Sequence, residues 1–316
     1  MKTVLVTAIG SAAAKATLDS LHAAGCRVVG CDIYPKSWNV NAGEMDDFFQ
    51  VPLAAEEESY TRALLEAAPR YGFQTVLPLT DIEVDTLSPR RARLAEKGVA
   101  LACLDAEVAA ACRDKLAMAA RLRKAGLCDT IDTWPAAEMP QNPPFPMMLK
   151  PLRGRSSNGQ AVVHSPEELA LTLRMRDDYI AQPFLTGPIF TVDVARDRAG
   201  HVAALTREEL LRTGNGLGTA VRIHPEHPLN AVAAAIAAEV GIVGVVNMEF
   251  IAHEGKYYFL EINPRFSGGI GFSGIAGYDF VAAAMRCYAG QKIAPRCRLR
   301  PMTLAQRYEQ SITDER

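Results

Sequence analysis

Residues 247–274 read NMEFIAHEGKYYFLEINPRFSGGIGFSG. Two runs rich in β-formers, 247–252 and 256–262, flank His253-Glu254-Gly255, which reads as a short hairpin turn. Pairing across a turn centred near Gly255 sets Glu249 opposite Glu261, with Asn263 two residues on and so on the same face. Two facing carboxylates repel each other unless a cation sits between them. Glu, Glu and Asn offer oxygen ligands only, the set that suits Mg²⁺ rather than Zn²⁺. The plain alternative is an exposed hairpin face with ordinary surface acids. Asn263-Pro264-Arg265 then opens a glycine-rich loop. A metal pair followed by a cation and flexible backbone suits phosphate chemistry.

Working outward, the 316 residues have room for two or three domains and a substantial core. The formal net charge of −2 gives no bulk attraction to nucleic acid or to an anionic membrane. Cysteines 26, 31, 103, 112, 128, 287 and 297 are scattered and never spaced CxxC. That argues for reduced thiols and against a zinc site or a disulfide framework. The first ten residues lack the charged lead, long apolar core and cleavage site of a signal peptide. No apolar run reaches the roughly 18–20 residues of a membrane span. The expectation is a soluble cytoplasmic protein.

From the N-terminus, residues 2–7 read as a buried strand, 12–24 as a helix and 27–32 as a second strand, a β-α-β start. Gly10-Ser11 sits at the strand-to-helix turn, the usual anion position, but AIGSAAAK is neither GxGxxG nor a Walker A loop. Asp32 is either a ribose ligand or a strand-end acid. A helix at 59–71, a strand at 75–79, a helix at 81–96 broken at Pro89 and a strand at 99–104 complete a small parallel α/β domain, 1–105. A second region, 106–182, holds Asp114-Lys115 before a helix, a proline-rich linker, and a strand at 147–149 ending on Lys150. RGRSSNG (153–159), a strand at 160–164 and a helix from Ser165 to about Arg176 follow. A basic strand end before a small polar glycine loop suits a loop folding over phosphates, with Lys150 as the point charge. The third region, 183–316, carries strands at 190–196 and 202–205, then 206–219 (TREELLRTGNGLGT) as a basic loop, a lid or a solvated connection. The helix 228–240, the opening hairpin and the helix 278–290 close it.

With those residues in view, the chain resembles the ATP-grasp superfamily, and within it the carbamoyl-phosphate-synthase-large-subunit-like branch. Residues 246–269 carry the resemblance most specifically; Lys150 with RGRSSNG, YIAQPFLTGPIFTVDV (179–194) and Asp114-Lys115 support it. The implied fold is α/β: an ATP-grasp fold behind an N-terminal parallel, Rossmann-like pre-ATP-grasp domain, then a small lid domain and a catalytic domain. The resemblance implies that Lys115 and Lys150 hold ATP phosphates, with Ser156, Ser157 and Gly159 in the loop over them. Gln182, Phe184 and Leu185 would edge the adenine, Glu249, Glu261 and Asn263 would bind Mg²⁺ (or Mn²⁺), and Arg265 would steady the phosphoryl group or the carboxylate. Two positions depart from the pattern. Ile189 stands where an acid contacts the ribose hydroxyls, and Gln182 replaces the adenine-side acid while keeping an acceptor for an amino group.

The implied activity is an ATP-dependent carboxylate–amine ligase that makes an acyl phosphate from a small, amino-acid-like carboxylate and releases ADP. Two cations and Mg²⁺ fit that electrostatic task, and Arg265 can bond an anion bidentately. Arg207, Arg212, Arg222 and the loop 267–274 are the candidates for gripping the acceptor. Histidines 22, 164, 201, 224, 227 and 253 do not fall at ligand spacing and read as structural or exposed. Two other classes stay open: a catalytically silent nucleotide-binding sensor, and an oxidoreductase using the N-terminal β-α-β. Small molecules are the expected partners, without nucleic acid or membrane, and a homodimer is an open assembly state.

Overall fold

The computed structural model describes residues 2–154, 158–175, 178–294, 299–308, 311 and 313. Ser156, Ser157 and Cys297 lie outside the described residues. The first sheet is parallel throughout, in the order β3-β2-β1-β4-β5. Its strands are β1 (Thr3–Val6), β2 (Arg27–Asp32), β3 (Asp47–Gln50), β4 (Thr75–Leu77) and β5 (Ala100–Leu101). The helices between them are α1 (Ala14–Ala23), α2 (Glu57–Tyr71), α3 (Asp81–Leu87) and α4 (Arg91–Ala95). Both faces are covered, as parallel strands require. Val4 and Val6 pack with Leu18 and Leu21 of α1, whereas Leu5 between them packs with Tyr60 and Leu64 of α2. The expected helix over 81–96 is interrupted by a 3-10 turn at Ser88–Arg90, because Pro89 has no N–H to offer.

Next come α5 (Ala106–Arg113), α6 (Lys115–Ala125) and two short strands, β6 (Asp129–Thr130) and β7 (Trp134–Pro135). Asp114 separates the helices and caps α6, its carboxylate accepting from the Ala117 N–H at 2.9 Å. β8 (Met147–Pro151), β9 (Ala161–Val163), α7 (Pro166–Leu173) and β10 (Tyr179–Pro183) follow. With β7 they make a four-stranded sheet, β7-β10-β8-β9, over a small core of Met147, Leu149, Val163, Leu169, Tyr179 and Ala181.

The remaining strands are β11 (Ile189–Arg196), β12 (Val202–Arg212), β13 (Gly218–His224), β14 (Gly244–His253), β15 (Lys256–Asn263) and β16 (Met302–Ala305). With β6 they form a seven-stranded sheet, β16-β13-β12-β11-β14-β15-β6, antiparallel except at β15–β6. Helix α8 (Leu229–Val240) covers one face, burying Phe190, Val192, Val194, Met248 and Phe250. Helices α9 (Ile270–Ile275) and α10 (Phe280–Tyr288) pack with Leu205, Val221 and Ile223 on the other. No described helix is long and apolar enough to cross a membrane.

Two expectations fail here. Residues 206–219 are not a loop: β12 runs on to Arg212 and β13 starts at Gly218. Charge hid the strand, because Arg207 and Glu209 alternate inward and neutralise each other in the interior. The glycine-rich stretch 267–274 is likewise helical from Ile270.

Candidate active site

The hairpin β14–β15 turns on Glu254 (φ 48°) and Gly255 (φ 76°), the paired left-handed geometry of a two-residue turn. Its register places Glu249 opposite Glu261 and Asn247 opposite Asn263. An irregularity between Glu249 and Phe250 shifts the ladder by one residue, so that Phe250 faces Phe259 and both enter the core while the acids stay on the open face. That face forms the wall of a cleft of about 490 Å³. Lys150, Gln182, Phe184, Leu185, Glu249, Glu261, Asn263 and Arg265 all line it.

Lys150 leaves β8 into this cleft, and burial pushes its ammonium below the ordinary lysine value; Glu261 and Glu249 oppose that shift, whereas Lys115 adds to it. Lys115, at the start of α6, donates to the Gly154 carbonyl at 3.1 Å and stands 3.7 Å from Glu261 Oε2. Gly159 (φ 73°) ends the 153–159 loop and its carbonyl accepts from the Tyr179 hydroxyl at 2.8 Å; the neighbouring Gln160 lines the cleft. Gln182 donates its amide nitrogen to Thr133 at 2.7 Å, which keeps its oxygen as the acceptor toward a ligand. Ile189 also lines the cleft, with an apolar side chain.

The hairpin residues fit a hard divalent cation. Asn263 spends its amide nitrogen on Asn247 Oδ1 (3.1 Å) and Glu261 Oε1 (3.3 Å), so its oxygen carries the remaining lone pairs. Burial raises the Glu249 carboxyl above its usual range, Arg212 pulls it back, and Glu261 pushes it up again. A cation between the two acids would relieve burial and repulsion together. Three oxygen donors without sulfur or nitrogen match Mg²⁺ or Mn²⁺. Among the described residues, no group of three or more His, Cys, Asp or Glu offers a different metal site.

The three arginines expected as candidates for gripping the acceptor separate. Arg207 is buried and doubly paired, bonded to Asp193 and to Glu209 Oε1 at 3.0 Å, while Thr191 and Ser273 complete the network. It is a buried, paired strand residue rather than a solvated loop cation, and it lines the cleft. Arg222 sits opposite Glu208 on the other face of β13, pairs with it at 3.1 Å, and is absent from the cleft wall. Arg207 and Arg212 both line the cleft, and Arg212 places its guanidinium on Glu249 at 2.8 Å.

Two residues escaped the sequence reading. Asp81, at the first turn of α3, accepts from Arg265 Nε at 2.9 Å and lies 3.6 Å from Arg113 Nη1. Arg113 in turn donates to the Arg153 carbonyl at 3.3 Å. A capping box of Thr80 and Glu83 at the carboxyl end of a parallel strand is the signal that marks Asp81's position. Arg265 uses Nε on Asp81 and Nη1 on the Phe266 carbonyl, leaving Nη2 for a ligand.

Residues 175–310 match the family described as ATP-grasp in the biosynthetic pathway with Ter operon. The carbamoyl phosphate synthase large chain of Clostridium perfringens is 26% identical over 164 residues, covering 47% of this chain but 15% of that protein. Among solved structures, N5-carboxyaminoimidazole synthetase from Staphylococcus aureus complexed with ADP superposes with a TM-score of 0.76 at 16% identity, over 96% of this chain and 82% of that one. An L-amino acid ligase from Bacillus licheniformis gives 0.72 at 16% identity, over 92% and 75%. At such identities the structural likenesses establish the fold.

Proposed function

The chain carries an ATP-grasp domain, and on that premise we propose that it is an ATP-dependent ligase joining a small, amino-acid-like carboxylate to an amine. A carboxylate oxygen attacks the γ-phosphorus, the bond to the β–γ bridging oxygen breaks, and ADP leaves. The amine nitrogen then attacks the acyl carbon, phosphate departs with the bonding pair, and the nitrogen gives up a proton. The observation that carries this reading is the convergence in one cleft of Lys150, the Glu249–Glu261 pair, Asn263 and Arg265, with Lys115 3.7 Å from Glu261.

Each side chain has a task in that sequence. Lys115 and Lys150 neutralise phosphate oxygens, and a lysine held below its ordinary value by burial gains most when an anion arrives. Glu249, Glu261 and Asn263 would hold Mg²⁺, which when bound supplies charge neutralisation at the transferred phosphoryl group. Arg265 is locked on one edge by Asp81, so its Nη2 meets the carboxylate in a set direction. Gln182, Phe184 and Leu185 edge the adenine. The S. aureus and B. licheniformis proteins, named for ligase-type reactions, support the class.

Chromatography separates the alternatives. Amino acids tested in pairs with MgATP should yield ADP, accelerated by the correct pair, and a product heavier by the amine minus water. Hydroxylamine should trap the activated carboxylate as a hydroxamate. AMP among the products would overturn the acyl-phosphate route. ADP release indifferent to every carboxylate in a broad panel would favour a silent nucleotide sensor, the reading that Ile189 in the cleft wall supports.

A further inference from the structure

Arg212 reaches the cleft by an irregularity. Along β12, Leu205, Arg207 and Glu209 face the cleft side, whereas Glu208 pairs with Arg222 on the opposite face. Strict alternation would turn Arg212 away with Glu208. The ladder to β13 instead shifts register between Glu209 and Leu211 and again between Leu211 and Arg212. The shift re-aims Arg212 into the cleft and leaves Leu211 64% exposed. A strand that exposes a leucine to present an arginine has traded burial for placement of a charge.

That charge rests on a proposed metal ligand. Arg212 Nη2 bonds Glu249 Oε2 at 2.8 Å, and Nε and Nη2 also donate to the Gly216 carbonyl at 3.0 and 2.7 Å. The guanidinium compensates two facing carboxylates, the same service that a divalent cation performs. Both cations cannot use Glu249 Oε2 together, because their repulsion would cancel the gain. The turn between β12 and β13 holds Gly214 and Gly216 (φ 85°), and Gly214 has open space around it. The released side chain therefore has a flexible base, and the anions that arrive with the metal are its nearest new partners.

We propose that Arg212 is an exchangeable counter-ion: it occupies Glu249 until a divalent cation takes that carboxylate, then moves to the phosphoryl end of the nucleotide or the substrate carboxylate. This rests on the ATP-dependent reading above and adds a residue to it. Arg212 thereby couples metal binding to anion binding, and the two events favour each other.

The test measures Mn²⁺ alone by electron paramagnetic resonance, and Mn²⁺ with a non-hydrolysable ATP analogue by calorimetry, on wild type, Arg212→Gln and Arg212→Lys. Arg212→Gln should bind Mn²⁺ alone about tenfold tighter and the Mn²⁺–nucleotide complex about tenfold weaker. Arg212→Lys should fall between on both, and carries the test if the glutamine variant does not fold. Opposite signs support the exchange. Shifts of the same sign reduce Arg212 to a bystander charge and overturn it, as does no shift. A wild type that fails to bind the Mn²⁺–nucleotide complex overturns the ATP reading itself, and the exchange with it.

Discussion

Lys150 concentrates the residue-scale physics of the cleft. Its folded value lies below the ordinary 10.5 that the unfolded chain keeps. Between the two the unfolded chain binds more protons, so this residue makes stability rise with pH across that window. Phosphate reverses the sign by favouring the charged ammonium. Calorimetry in buffers of different ionisation heat should therefore show proton uptake with nucleotide in the window between the folded value and the ordinary 10.5. Lys150→Met should abolish the uptake and weaken binding by roughly 1.5–3 kcal/mol; unchanged affinity would remove Lys150 from the phosphate site. Glu261 makes the complementary case. It faces Glu249 in register, stands 3.7 Å from Lys115 and favours the charged form of Lys150, so removing its charge relieves one repulsion and costs two attractions. Glu261→Gln should shift stability by no more than about 1 kcal/mol either way, while ADP formation at limiting Mg²⁺ collapses. Normal turnover under those conditions would make the hairpin face a plain surface.

At the scale of elements, the β12–β13 hairpin depends on the absence of a side chain. A Cβ on Gly218 would lie 1.6 Å from Glu209 Oε2, so Glu209 keeps its place beside Arg207 only because β13 begins with glycine. Gly218→Ala should expel that carboxylate from the buried network of Arg207, Asp193 and Thr191, at about 3–5 kcal/mol in urea unfolding. In a Glu209→Ala background the added cost should fall below about 1 kcal/mol. Equal costs in both backgrounds would mean that the damage arises elsewhere.

The whole molecule meets at Asp81. This carboxylate belongs to the parallel α/β sheet's third helix, yet it accepts from Arg265 after the β14–β15 hairpin and lies 3.6 Å from Arg113 of α5, which holds the Arg153 carbonyl. One buried acid thus joins the N-terminal unit, the hairpin loop and the start of the 153–159 loop. A cycle of Asp81→Asn, Arg265→Gln and the double variant should show a coupling of about 1–3 kcal/mol in unfolding free energy. Additivity would show that the units dock without this bridge.

Much of this was legible in the chain alone, because it depends on neighbours in sequence. The period-2 runs around His253-Glu254-Gly255 mark the hairpin, whereas Glu249 comes opposite Glu261 through the irregularity between Glu249 and Phe250. The β-α-β start and the Asp114 cap before Lys115 are equally local. The tertiary structure decided what distance in sequence conceals. Arg207 looked like a loop cation until Asp193, 14 residues away, and Glu209 neutralised it in the interior. Arg212 takes its side of the sheet from register shifts that only strand pairing creates. Asp81 finds Arg265 across 184 residues. Local pattern sets which way a strand's side chains alternate; whether a charge is paired, and with what, is settled only when remote segments pack and withdraw water from it.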